Sequence, residues 1–174
     1  MAVLVFGAPA ALAAPEAGPR AGDPAPAFEL EDQHSVRHES RKLKGKVVFL
    51  LFGPQALRED IWGWAGGLAG CYGKRQDASV FVVSGAAGLP PMVPRGFFKD
   101  SVKHKRYPVS LLFDWERRTA KAYGVGAESS ELFVVGPDGA IVLRVPITGY
   151  AGGDLAALEK FLQPRLGACG QGGR

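Results

Sequence analysis

Cysteine is nearly absent from this chain of 174 residues; Cys71 and Cys169 are the only two, and they stand far apart. That spacing excludes a C-x-x-C redox motif and a multi-cysteine zinc site. Histidine is equally scarce, with three residues. His34 and His38 are four apart, but they fall in a segment read below as a hairpin, where the offset only shares a face and a solvated environment is expected. His104 has no partner in sequence, so neither a metal site nor a cofactor is expected. Outside the first residues, no stretch approaches the ~18 consecutive apolar residues of a membrane span. Charge of one sign is not in large excess either: 21 basic against 17 acidic residues leave a net +4. The densest basic run, Lys99, Lys103, His104, Lys105 and Arg106, comes with no groove-reading motif. It reads as the wet face of a helix end, and no nucleic-acid partner is expected.

The length and a 47% hydrophobic content suit one domain with a full core and tails. Met1 to Ala14 is almost wholly apolar or small, and Ala11-Leu12-Ala13 matches a small-residue cleavage site, so residues 1–13 read as a signal peptide lacking a basic n-region. A periplasmic or secreted protein follows. Residues 14–26 are rich in proline and alanine and read as a mobile tether. Residues 27–166 form the expected domain, and 167–174 a flexible glycine-rich tail.

The run Val47-Val48-Phe49-Leu50-Leu51-Phe52 has the length and composition of a buried central strand. Before it, Phe28 to Glu31 and Val36 to His38 flank a turn at Asp32 to Ser35, which predicts a short solvent-facing hairpin. After it, Leu57, Ile61, Trp64, Ala65, Leu68 and Tyr72 follow the spacing of an amphipathic helix. Gly63, Gly66, Gly67 and Gly70 each cost that helix about 1 kcal/mol. Either close approach to the sheet explains them or the helix frays. Trp62 and Trp64 straddle Gly63 and cannot both face the core, which leaves one for a surface patch.

Ser79 to Ser84 reads as a second buried strand, Pro94 opens a helix carrying Phe98 and Val102, and Val109 to Phe113 is a third strand. Asp114 is expected to cap a helix from Trp115 to Tyr123 that Gly124 ends. Leu132 to Val135 and Ala140 to Val145 flank Gly136-Pro137-Asp138-Gly139, a hairpin signal. Asp154 is expected to cap a last helix with Leu155, Leu158, Phe161 and Leu162 inward, stopped near Pro164. Strands alternating with helices call for parallel pairing, and the hairpin adds an antiparallel edge. The fold class is therefore α/β, a three-layer α/β/α sandwich with a mixed sheet and an N-terminal hairpin.

This order resembles the thioredoxin-like redoxins, the alkyl hydroperoxide reductase and thiol-specific antioxidant group. The phrases that carry the likeness are Gly22-Asp23-Pro24-Ala25-Pro26-Ala27-Phe28, Leu43-Lys44-Gly45-Lys46-Val47-Val48, Ala120-Lys121-Ala122-Tyr123-Gly124-Val125 and Gly136-Pro137-Asp138-Gly139. Glu128-Ser129-Ser130-Glu131-Leu132-Phe133 also looks like the periplasmic YtfJ-type branch. The resemblance implies a thioredoxin-like fold and thiol-dependent antioxidant oxidoreductase chemistry, with a cysteine at the start of the helix after the central strand. There the helix N-terminus favours the thiolate.

Pro54, Gln55, Ala56 and Leu57 stand where that cysteine falls in the family, and Arg58 matches a basic residue that often follows. None of these side chains can attack a peroxide or form a mixed disulfide. The family's thiol-binding members also place a cis proline before the strand that begins here at Leu132. Ser130, or Ser129 with one residue of slack, stands in its place, and a trans peptide is expected.

The resemblance thus yields an exported redoxin-like protein with a degenerate site, expected to bind a protein or peptide at the former active-site groove. The alternative is a thiol oxidoreductase using Cys71, with or without Cys169. Cys71 itself reads as a buried core residue, as half of a structural bridge to Cys169, or as the catalytic thiol.

Overall fold

The structure, a computed structural model, describes residues 18–54, 58–85 and 94–166. A hairpin comes first: β1 (Glu29–Asp32) and β2 (Arg37–Glu39). A 3-10 turn, Ser40–Leu43, leads into β3 (Val47–Gly53), which is followed by α1 (Arg58–Tyr72) and β4 (Ala78–Gly85). Next come α2 (Arg95–Lys103), β5 (Ser110–Asp114), α3 (Arg118–Ala122), β6 (Glu131–Val135), β7 (Ile141–Pro146) and α4 (Gly152–Leu166). Among the described residues the strands form one sheet in the order β2-β1-β5-β4-β3-β6-β7.

β3 lies in the interior of this order, where all six of its apolar residues find cover on both faces; each is 5% exposed or less. It pairs in parallel with β4, with Leu50 opposite Phe81, and antiparallel with β6, with Leu50 opposite Phe133. Val47, Phe49 and Leu51 point to a core closed by Ile61, Ala65 and Leu68 of α1, Val102 of α2 and Leu158 and Leu162 of α4. Val48, Leu50 and Phe52 point to a second core with Phe28, Ala120, Tyr123 and Val125. That face carries the short α3, the 3-10 turn and an extended segment.

The extended segment is the N-terminal stretch, expected to belong to a mobile tether. Its described part, from Gly18, lies against the molecule. The Gly22 N–H donates to Ile141 O at 2.8 Å, the Ala25 N–H donates to Gly139 O at 2.9 Å, and Pro24 bridges Ala140. The stretch then enters β1 on the other side of the sheet, so it crosses the face as a strap. The β6–β7 turn that holds it is the expected Asp-Gly turn: Gly139 has φ +85°, and Asp138 Oδ1 accepts from the Ala140 N–H at 3.0 Å.

Four expectations need correction. The N-terminal hairpin does not face solvent throughout: β1 pairs antiparallel with β5, and Asp32, Gln33 and Glu39 are buried. His38 is only half exposed, with Nε2 at 2.9 Å from Asp32 Oδ2 and its ring edge-on to Phe81; His34 is exposed as expected.

The third helix starts three residues late. Trp115 stacks on Phe113 with centroids 4.9 Å apart, and Arg117 turns to φ +55°, so the first turn of α3 forms after them. Asp114 still caps, but from the end of β5, its Oδ2 accepting from the Ala120 N–H at 2.7 Å.

In α4, Asp154 is inside the first turn and reaches back to the Ala151 N–H at 2.8 Å. The helix continues past Pro164 to Leu166, and Phe161 is 42% exposed rather than inward.

The α1 glycines do not meet the sheet. A Cβ at Gly63 would come within 2.5 Å of Tyr150, and one at Gly67 within 2.7 Å of Leu155, so these two let the segment entering α4 and α4 itself approach α1. Gly66 and Gly70 face open space.

Candidate functional site at the end of strand β3

β3 carries its last residue, Gly53, to the point where α1 is to begin, and this is where an open α/β sheet binds ligands. A Cβ at Gly53 would come within 2.7 Å of Ser130 Oγ and closer still to Ile61, so a larger residue there would displace these side chains. Pro54 follows, half-buried. Gln55, Ala56 and Leu57 lie outside the described residues, and Arg58 opens α1. Ser130, the residue before β6, is brought against Gly53 by the β3–β6 pairing. Its peptide is trans, as are all those described. Its carbonyl accepts from the Ile147 N–H at 2.7 Å, and its buried hydroxyl has no hydrogen-bond partner. Ser129 is exposed.

Gly53, Pro54 and Ser130 are therefore brought together, and Cys71 is not among them. Cys71 lies near the other end of α1, about 20 Å along the axis from its first residue. It is 8% exposed and in disulfide linkage, with the Glu159 carboxylate beside it. Cys169 lies outside the described residues.

A cavity of about 140 Å³ opens beside Gly53 and Pro54. Ile61 and Trp62 of α1, Phe98 of α2 and Tyr107 form its apolar walls, while Ser84, Ser101 and Lys105 supply polar atoms. Trp62 stacks on Tyr107, with centroids 4.5 Å apart and planes at 22°. Trp64 takes the core position instead, its Nε1–H donating to Gly149 O at 2.9 Å. The straddling pair thus resolves with Trp62 as the cavity wall. Tyr107 and Phe98 were not legible as site residues, since nothing local to them signals the approach of α1. Lys105, read as part of a wet basic face, is exposed yet reaches this rim.

Among the described lining residues there is no thiol, imidazole or carboxylate. The arrangement can enclose an apolar group and orient it with a few hydroxyls and one ammonium. It offers no nucleophile of the thiol kind. Charge around it is tied down: Lys99 donates to Glu31 Oε2 at 2.6 Å, and this bond holds the Glu31 carboxyl below its ordinary value. Next to Ser130, Glu131 accepts from Arg144 Nε at 2.5 Å and Nη2 at 3.0 Å, which raises the Arg144 guanidinium further. Among the described residues no group of three or more His, Cys, Asp or Glu could share a metal ion. No described helix is long and apolar enough to cross a membrane.

A family model, that of the AhpC/TSA family, matches residues 21–144. The chain belongs to the AhpC/TSA family. Solved structures agree on the fold. The pneumococcal exposed lipoprotein thioredoxin Etrx1 of Streptococcus pneumoniae superposes with a TM-score of 0.61 at 21% identity, covering 79% of this chain and 99% of that one. A Chlorobium tepidum protein named for thiol:disulfide interchange, DsbE, gives 0.60 at 20% identity, covering 84% and 97%. BsSco, of the Sco family of cytochrome c oxidase assembly proteins, gives 0.55 at 12% identity, covering 84% and 96%. No curated protein sequence matches the chain significantly. The AhpC/TSA scaffold is thus present as a thioredoxin-like fold, and the residues at its β3–α1 junction are Pro54, Gln55, Ala56, Leu57 and Arg58.

Proposed function

We propose that this AhpC/TSA protein acts outside the cytoplasm as a binding or accessory protein. It takes up an apolar side chain of a peptide or protein partner at the end of β3, without thiol chemistry. The observation that carries this reading is the pairing of a sulfur-free β3–α1 junction with an intact aromatic cavity next to it. The family's reaction needs a thiolate at a helix start, and Pro54 to Arg58 supply none. The trans peptide at Ser130 gives the groove a different edge from the cis-proline edge of thiol-binding members. Export is supported by residues 1–13 and by the exposed lipoprotein thioredoxin among the similar folds.

Peptide probes that carry one leucine or phenylalanine in a polar sequence test it, with isothermal calorimetry as the readout. Saturable binding that is lost in Trp62→Ala is expected, together with no peroxide consumption and no reduction of insulin disulfides. The reading fails if the purified protein shows either activity and loses it on Cys71→Ser.

A specific observation keeps the oxidoreductase reading in view: Cys71 is disulfide-linked. A thiol role requires that link to be reducible and the released Cys71 to label rapidly in the native protein. Labelling that appears only after denaturant is added removes the oxidoreductase reading.

A further inference from the structure

The face of the sheet closed by the strap holds a second and larger cavity, about 280 Å³, bounded by the strap, the link into β3 and the β6–β7 turn. Its existence follows from how that face is covered. A helix lays a continuous ridge of side chains over a sheet, whereas an extended strap and a 3-10 turn leave a gap between them. Here Ala25 to Phe28 form one bank, Ser40 to Lys46 the other, and Val48, Leu50 and Val135 the floor. The floor and most of the walls are apolar, including Phe28, Leu43 and Tyr123.

The polar groups at the mouth divide unequally. Arg41 is committed to Glu39, and Asp138 is committed through Oδ1 to the Ala140 N–H of its own turn. Tyr123 Oη donates to Pro26 O at 3.0 Å. Lys44 and Lys46 line the cavity and have no ion-pair partner among the described residues. They flank Gly45, which has φ +82° and whose N–H is tied to Pro137 O, so the two lysines are held at the mouth by a fixed turn.

We infer that this cavity is a binding site for a free carboxylic acid with an unbranched apolar chain, the chain on Val48, Leu50 and Val135 and the carboxylate between Lys44 and Lys46. An apolar void of this size is filled more favourably by hydrocarbon than by water, which needs polar partners the floor does not provide. A carboxylate at the mouth keeps contact with solvent and gains two ammonium neighbours without giving up hydration fully. The site is separate from the cavity beside Trp62, so its occupancy does not depend on the function proposed above.

Decanoate and decanol, titrated into the full chain by calorimetry, test the inference. Decanoate should bind one-to-one and about five- to tenfold more tightly than decanol at low salt, the range expected for partly exposed ion pairs. The variant with both Lys44→Glu and Lys46→Glu, two changes outside the core, should remove that preference while decanol binding persists. Ala25→Phe, which fills the cavity from the strap, should abolish binding of both; Trp62→Ala should change neither. No binding, equal binding of acid and alcohol, binding that survives Ala25→Phe in a folded protein, or dimerisation that excludes the ligand would each overturn the assignment.

Discussion

On one side of β3, Phe49 and Leu51 lie under α1, α2 and α4; on the other, Leu50 and Phe52 lie under α3 and a strap. The first side is held by apolar interdigitation, close enough at Gly63 and Gly67 that no Cβ fits. The second has an apolar core of its own, and polar clasps fasten its cover. Arg144 joins Glu131 to the Gly124 carbonyl at 3.1 Å, Tyr123 holds Pro26, and Asp32 accepts from His34 and Val36 while facing His38. Apolar packing tolerates acid and salt, whereas the clasps built on the Glu131 and Asp32 carboxylates are weakened by acid. The two sides should therefore fail under different conditions, although one sheet joins them.

The sharpest way to break this contrast is to remove equivalent apolar groups. Leu68→Ala, under the helices, should cost about 3–4 kcal/mol in denaturant unfolding. Phe28→Ala, on the strap, should cost about 3 kcal/mol and mainly speed hydrogen exchange at Gly22 and Ala25, as expected of local opening. Equal losses with no local exchange signature would mean that both sides open together.

Acid should discriminate next. Burial works to raise the Asp32 carboxyl, and its bonds to His38, Val36 and His34 outweigh it, leaving the group below its ordinary value of 3.8. Its contribution to stability is therefore present above that value and is lost as pH falls through the lower folded value. Asp32→Asn should cost about 2 kcal/mol at neutral pH. The gap between variant and parent should narrow in acid. A gap that stays constant with pH would remove Asp32 from the acid-sensitive clasps.

Smaller again is the glycine contrast. Gly66→Ala and Gly70→Ala should each stabilise by about 0.5–1 kcal/mol. Gly63→Ala and Gly67→Ala should destabilise, since Tyr150 and Leu155 must move. Thermal melts of the four variants read this directly, and a uniform sign would refute close packing of α1 against α4. Last, Ser130→Ala should leave stability unchanged or raise it by up to about 1 kcal/mol, because it deletes a buried hydroxyl with no partner. A clear loss of stability would mean that Ser130 makes a bond in solution.

The order of elements was legible because its signals are local: six apolar residues for β3, an Asp-Gly turn between β6 and β7, and three-and-four spacing along α1. What escaped was set across the chain. Asp114 looks like a helix cap, and only the stacking of Trp115 on Phe113 delays the helix. Phe28 to Glu31 alternates as in an exposed hairpin and Asp32 opens its turn, and only the pairing of β1 with β5 buries Asp32. The candidate site divides in the same way. Absence of sulfur at Pro54 to Arg58 is plain in the sequence, whereas the Trp62–Tyr107 wall requires α1 and the α2–β5 connection to meet.

The strap also gives the molecule a mechanical polarity. A pull on the chain upstream of Gly18 reaches the hydrogen bonds to Ile141 and Gly139, and the Arg144 contact with the Pro19 carbonyl, before it reaches β1. Tension applied at the N-terminus is therefore carried first by the β6–β7 hairpin. The Trp62 cavity lies on the opposite face of the sheet from the strap.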